Sequence, residues 1–149
     1  VIAFATTSSG AALPKAFENL ETFGVPRRIL SVALPLGLSF NLDGSVIHLA
    51  LAATFVAQAS NAGLSMADQV MLLATLKLTS KGVAGIPRAG MVILASLFTM
   101  FGFPLEALAL LLAVDAIVDM IRTSTNILGN CVAAGVIARW EGVDPRKPA

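Results

Sequence analysis

The feature that most restricts this chain is the run DAIVDMIRTSTNILGN at residues 115–130. Wound as an α-helix, it places Asp115, Asp119, Arg122, Asn126 and Asn130 at i, i+4, i+7, i+11 and i+15, inside a narrow sector of one face. Around them stand Val114, Ile117, Val118, Met120, Ile121, Ile127, Leu128, Val132 and Val136. A helix of a water-soluble protein turns its charges outward and its apolar stripe inward. Here the pattern is inverted, with a polar seam inside an apolar sleeve. Two acids, a guanidinium and two amides on one seam suit a small zwitterion, or an acid together with a cation. They also suit a buried ion pair of purely structural use, Asp119 with Arg122 at i+3. The rest of the chain favours the ligand reading.

Composition identifies the solvent. Of the 149 residues, 56% are hydrophobic and 13% charged, with a mean hydropathy of +0.84; soluble domains carry about 25% charged residues. The chain is therefore read as a membrane protein. A net charge of +1 gives no electrostatic case for binding nucleic acid. The single cysteine, Cys131, rules out an internal disulfide and is read as a small buried side chain. Tyrosine is absent, and Trp140 closes the last apolar segment, where an interfacial anchor belongs. The opening VIAFATTSSG has no initiator Met and no basic stretch, so the chain is expected to begin inside a longer protein.

Taken in order, residues 1–13 start apolar and break at Thr6-Thr7-Ser8-Ser9-Gly10, with a helix expected to restart near Ala11 and Pro14 in its first turns. Hydroxyls and a glycine at such a join suit a hairpin tip with exposed backbone groups, and equally an ordinary N-cap. Residues 15–28 are more polar, and Pro26 beside Arg27 and Arg28 marks a new helix. Residues 29–60 are long enough to cross a bilayer of about 30 Å, but SFNLDGS at 39–45 interrupts them. An unwound segment at membrane depth is tolerated only where protein packs on it or it lines a cavity. Asp43 in such a place is a functional candidate.

Residues 64–78 and 91–103 are two apolar legs, each shorter than the roughly 17–25 residues of a spanning helix. They are joined by TSKGVAGIPRAG at 79–90. Lys15, Arg27 and Arg28 precede the long crossing, and Arg139, Arg146 and Lys147 follow the last helix, whereas the connections at 61–67 and 102–106 hold no Lys or Arg. The positive-inside rule makes both basic ends cytoplasmic and both connections external. Two short legs that leave and return to one face form a re-entrant hairpin. Residues 105–140 then run from outside to inside as a helix, followed by a polar tail.

No enzyme signature survives weighing. Ser8, Ser9, His48 and Asp43 sketch an intramembrane serine hydrolase, but no nucleophile motif frames the serines. His48 is read instead as a helix residue with a local hydrogen-bond partner. One His and one Cys without clustered spacing argue against zinc, and SKGVAG is too loose for a phosphate loop.

Four separated stretches together resemble one family, the dicarboxylate/amino acid:cation symporters, which include the glutamate transporters. They are TTSSGAALP at 6–14, NLDGS at 41–45, GIPRAG at 85–90 and DAIVDMIRTSTN at 115–126. The resemblance covers nearly the whole chain. It implies an all-α membrane protein, a transport domain of broken transmembrane helices and two re-entrant helical hairpins. On this basis residues 1–140 form a partial transport domain: the end of hairpin one at 1–23, a broken seventh helix at 25–60, hairpin two at 64–103 and an eighth helix at 104–140. Residues 141–149 form the tail. Six further helices are expected to precede this chain, and a homotrimer in the cytoplasmic membrane is implied.

Carried across position by position, the resemblance assigns roles. Ser9 and the backbone around it grip the substrate's main-chain carboxylate, with Ser45 in place of the usual Thr. Asp119 accepts the substrate ammonium, Arg122 pairs with its side-chain carboxylate, and Asn126 binds the main-chain carboxylate. Thr123 and the backbone at Ile86 and Gly90 complete the pocket. One sodium site is implied at Gly37, Asn41, Asn126 and Asn130, a second at the carbonyls of Ser39, Ser80, Lys81 and Val83, and a third at Asp43. Asn130 stands where the family commonly has Asp, so that ion is expected to bind more weakly. Leu42 replaces a Met. Leu49 takes a position that is acidic in animal transporters linked to proton and potassium coupling, so the resemblance gives no ground for that coupling at Leu49. Arg88 at the second tip is unusual for the family; it either tunes the gate or snorkels to water.

The expected function is symport of an acidic amino acid, glutamate or aspartate, with sodium first and a proton second as coupling ion, and no organic cofactor. A C4-dicarboxylate symporter of the same family is the alternative. The serine hydrolase is remote, and a degenerate fragment with only a structural role is a third reading.

Overall fold

The computed structural model describes residues 1–80 and 89–144. Among these residues there is no strand, and seven α-helices follow one another: α1 (Ile2–Thr6), α2 (Ser9–Phe23), α3 (Arg27–Phe40), α4 (Asp43–Ala59), α5 (Met66–Thr79), α6 (Ala89–Phe101) and α7 (Ala107–Trp140). The all-helical class expected from the sequence is found.

Local chemistry explains the boundaries. Thr7 takes a left-handed conformation (φ 50°, ψ 28°) and stops α1. The Ser8 hydroxyl then accepts the Ala11 N–H at 3.2 Å and caps α2. With that cap in place the helix restarts at Ser9, two residues ahead of the expected Ala11. Gly24 (φ 106°) closes α2 by donating to the carbonyl of Glu21, while Val25 reaches back to Leu20. Pro26 caps α3, where its missing N–H is not needed. Ser65 and Asp68 form a reciprocal capping box that starts α5.

The interruption expected over 39–45 is confined to Asn41 and Leu42, whose ψ values of 81° and 46° leave helical space. Taken through this break, Arg27–Ala59 is 33 residues long, and its apolar 18-residue stretch has a mean hydropathy of 1.4. It is the one helical span among the described residues long and apolar enough to cross a membrane. α5 and α6, at 14 and 13 residues, are the two short apolar legs.

Packing divides into a dry region and a polar one. Leu49, Ala53 and Val56 of α4 meet Leu72 and Leu76 of α5 and Leu94, Leu97 and Phe98 of α6 in an apolar core. A smaller core joins Leu30 and Leu34 of α3 to Ala134 and Ala138 of α7, where small side chains let the helices approach closely. α7 packs against α1, α2, α3, α4 and α6, and between its apolar contacts at Leu111 and at Ala134 and Ala138 it buries the polar seam. Asp115, Asp119, Arg122, Thr123, Asn126 and Asn130 are buried, while Leu110, Ile117, Ile121, Leu128 and Val132 are exposed. Ile117 and Leu128 are each 64% exposed, against 5% for Asp119 and 1% for Asn130. The helix is inverted, as its sequence period requires.

Candidate ligand site

The site begins at the break between α3 and α4. Leu42, at the N-cap of α4, has no capping side chain of its own, so the first N–H groups of that helix need a partner from elsewhere. Asn126 of α7 supplies it. Its Oδ1 accepts from the backbone N–H of Gly44 at 2.9 Å and of Ser45 at 3.3 Å, and its Nδ2 donates to Ser45 Oγ at 2.9 Å. The contact requires glycine at 44. A Cβ there would stand 2.5 Å from the Arg122 carbonyl oxygen and 2.9 Å from Thr125 Cβ, and neither atom can swing aside. Asn126 and Ser45, expected around a carboxylate, thus lie together and also hold the broken helix to α7.

One turn before Asn126, Arg122 Nε donates to Asp119 Oδ1 at 2.7 Å, with both side chains under a tenth exposed. Thr123 Oγ1 reaches the same oxygen at a longer 3.4 Å. The outer guanidinium nitrogens of Arg122 lie against Gly90 at the start of α6, where a Cβ would collide with Nη1. Gly90, Asp119, Arg122 and Thr123 are therefore brought into one place. The i+3 ion pair that the sequence allowed is made, and its two charges answer each other.

A turn further on, Asn130 is 1% exposed, and neither atom of its amide has a hydrogen-bond partner. A Cβ on Gly37 of α3 would stand 2.6 Å from Asn130 Oδ1. The Gly37 carbonyl accepts the Asn41 N–H at 2.8 Å, and the side chains of Asn41 and Asp43 both lie against Gly129. Gly37, Asn41, Asp43 and Asn130 therefore surround the break. An unpartnered buried amide oxygen beside a break in the helical backbone suits a hard monovalent cation. Asp43 is exposed at the first turn of α4, where an acid favours a helix N-terminus. Ser39 is exposed near the end of α3, and Ser80 is buried at the end of α5, its hydroxyl donating to the Lys77 carbonyl. Ser9 opens α2, which packs on α7. Lys81, Val83, Ile86 and Arg88 lie outside the described residues.

Two further polar residues have buried atoms without a hydrogen-bond partner. His48, expected to have a local partner, has a buried Nε2 with none, and Asp115 Oδ1 is in the same condition. Asp115 was legible as the first member of the seam, one turn ahead of Asp119. Nothing local to His48 marks it.

A helical bundle that turns apolar side chains outward and a charged seam inward has the build of an integral membrane protein with a polar interior. The model of the sodium:dicarboxylate symporter family matches residues 1–140, and the chain belongs to that family. It is 44% identical over 142 residues to the proton/sodium-glutamate symport protein of Geobacillus stearothermophilus, covering 95% of this chain and 34% of that protein. It is 44% identical over 149 residues to the proton/glutamate-aspartate symporter of Escherichia coli K12, covering all of this chain and 34% of the relative. To C4-dicarboxylate transport protein 2 of Mesorhizobium japonicum it is 46% identical over 143 residues, covering 95% and 32%. The chain spans about a third of the length of the curated relatives it matches.

Proposed function

We propose that this chain is the substrate- and ion-binding part of a secondary transporter that carries an acidic amino acid, glutamate or aspartate, by cation-coupled symport. The observation that carries the reading is the buried Asp119–Arg122 pair. Parting two buried charges leaves each without a partner, at a cost of about 3–5 kcal/mol. An acidic amino acid brings an ammonium for Asp119 and a distal carboxylate for Arg122, so the internal pair is exchanged for two new ones. The Asn126 amide, now spent on Ser45, then turns to the main-chain carboxylate, with Ser9 at the other side. Thr123 and the backbone at Ile86 and Gly90 close the pocket.

Sodium is the first coupling ion in this reading. The unpartnered Asn130 amide beside Gly37, with Asn41 and Asn126 at the break, supports one site. Ser39, Ser80, Lys81 and Val83 form a second, and Asp43 belongs to a third completed by another part of the protein. A proton is the second coupling ion; the name of one glutamate-transporting relative carries both ions and that of another the proton alone. α1 and α2 form the end of one re-entrant hairpin, and α5 and α6, over 64–103, the other. The second closes over the loaded site before the domain moves across the cytoplasmic membrane. A homotrimer that includes further helices of the same protein completes the assembly.

The rival substrate is a C4-dicarboxylate, favoured by the name of a relative at 46% identity. Asp119 separates the two. Succinate has no ammonium, so it would leave Asp119 buried and unpaired once Arg122 turns to the substrate. The intact transporter is therefore expected to bind aspartate or glutamate at least tenfold more tightly than succinate or malate, about 1.4 kcal/mol. Asp119→Ser should narrow the gap by weakening the amino acids. Succinate binding as tight as aspartate binding in the unmutated protein would transfer the assignment to the dicarboxylates.

A further inference from the structure

His48 lies on α4, one turn beyond the Ser45 that Asn126 holds, and is half-buried outside the apolar core that takes Leu49. Its Nε2 is buried without a hydrogen-bond partner. Asp115, on the facing helix α7, is 3% exposed, and its Oδ1 is buried and equally unpartnered. The charges that act on the imidazole all stand on α7: Arg122 opposes its protonation, and Asp115 and Asp119 favour it. The other helices packed on α4 are α5 and α6. α6 carries no titratable side chain, and α5 carries only Asp68 and Lys77, near its two ends.

The charges of this cluster do not balance. Asp119 is already matched by Arg122 at 2.7 Å, whereas among the described residues the Asp115 carboxyl makes no ion pair and its Oδ1 has no hydrogen-bond partner. With a neutral imidazole the four side chains sum to one negative charge; with a protonated imidazole they sum to zero. An uncompensated charge in a low-dielectric interior is strongly disfavoured. Histidine is the side chain that can remove it by taking up a proton at ordinary pH.

We propose that His48 and Asp115 form a proton-binding site, separate from the Asp119–Arg122 pair, at which the transporter takes up its coupling proton. The inference rests on the transport reading above. A proton from water on the loading side forms an N–H bond at Nε2, and the imidazolium is stabilised by the Asp115 carboxylate. On the release side that bond breaks and the proton returns to water, so one proton enters and one leaves with no other bond changed. Filling the site also removes a negative charge from beside an incoming acidic substrate, so proton and substrate favour each other's binding.

The test uses the intact transporter, purified and reconstituted. Aspartate affinity is measured at fixed sodium between about pH 5.5 and 8, the span in which an imidazole titrates. Protons taken up per aspartate bound are counted by calorimetry in buffers of different ionisation enthalpy. The unmutated protein should bind aspartate roughly tenfold more tightly at the acid end and take up a proton with it. In His48→Gln the affinity should settle near the alkaline value of the unmutated protein and cease to move with pH, with no proton uptake. Asp115→Asn should also suppress proton uptake, and it carries the test if His48→Gln does not fold. A full pH dependence in His48→Gln overturns the proposal, as does pH-independent, sodium-driven aspartate uptake by the unmutated protein. The transport reading would survive that second result; it falls only if neither acidic amino acids nor dicarboxylates bind at any pH.

Discussion

α6 and α7 are both strongly apolar helices, yet they bury opposite chemistries. α6 turns Ile93, Leu94, Leu97 and Phe98 inward and leaves Val92 and Met100 outside, so greasy residues lie on both of its faces. α7 turns acids, amides and a guanidinium inward and leaves leucines and valines outside. In water only the first arrangement would be stable. In a bilayer the hydrophobic effect no longer sorts side chains between inside and outside, and tight packing or polar pairing decides what faces the protein interior. α6 is held by shape, in a core where Phe98 meets Phe103 edge to face at 5.6 Å. α7 is held by charge and hydrogen bonding, and each polar group it buries needs a partner in the fold or in a ligand.

The largest expected effect follows from removing a charge from the seam. Arg122→Ala leaves Asp119 buried without its partner and removes the guanidinium proposed for the substrate's distal carboxylate. Breaking such a pair costs about 3–5 kcal/mol, so aspartate uptake by the intact transporter should fall at least about a hundredfold. Unchanged aspartate affinity in this variant would refute the role given to Arg122.

The matching change on the apolar side is Leu94→Ala, at a residue with no exposed surface. Cavity-forming Leu→Ala changes cost about 2–5 kcal/mol in soluble proteins. The low end, about 2–3 kcal/mol, is expected here, because a leg left in hydrocarbon already satisfies its apolar surface. Thermal unfolding in detergent should report this loss, while the sodium and aspartate affinities of the folded fraction stay put. A change in ion dependence would mean that the two regions are not separable as described.

The smallest effect sharpens the seam without breaking it. Asn130→Asp adds a negative oxygen where both amide atoms are unpartnered. The sodium concentration for half-maximal uptake should drop roughly fivefold, about 1 kcal/mol. An unaltered sodium dependence would remove Asn130 from the ion site and leave the proton as the better coupling ion.

Much of the fold was legible because its signals are local. The period of the polar seam on α7, the NLDGS interruption and the two short apolar legs each rest on residues close together in sequence, and helices form from such contacts. The restart of α2 near Ala11 is legible, but its start at Ser9 is set by the Ser8 cap, a single side chain that the hydropathy pattern does not register. The sequence predicts a local partner for His48 on similar grounds. Five positions from an aspartate, it looked served by its own helix, whereas its surroundings are set by α7.

By itself the sequence determined that this chain is an apolar helical protein carrying an inverted helix, that its long span is interrupted within residues 39–45, and which polar residues share a face. Only the tertiary structure decided which of those polar atoms are spent on one another. Asn126 caps α4 at Gly44, 82 positions away, and Arg122 is held between Asp119 and Gly90. His48, Asp115 and Asn130 are left with buried atoms that have no partner. Helical period fixes direction around one axis, but hydrogen bonds and charge pairs depend on distances of a few ångströms between axes. Those distances come from small residues such as Gly37 and Gly44, at which α3 and α4 close on α7.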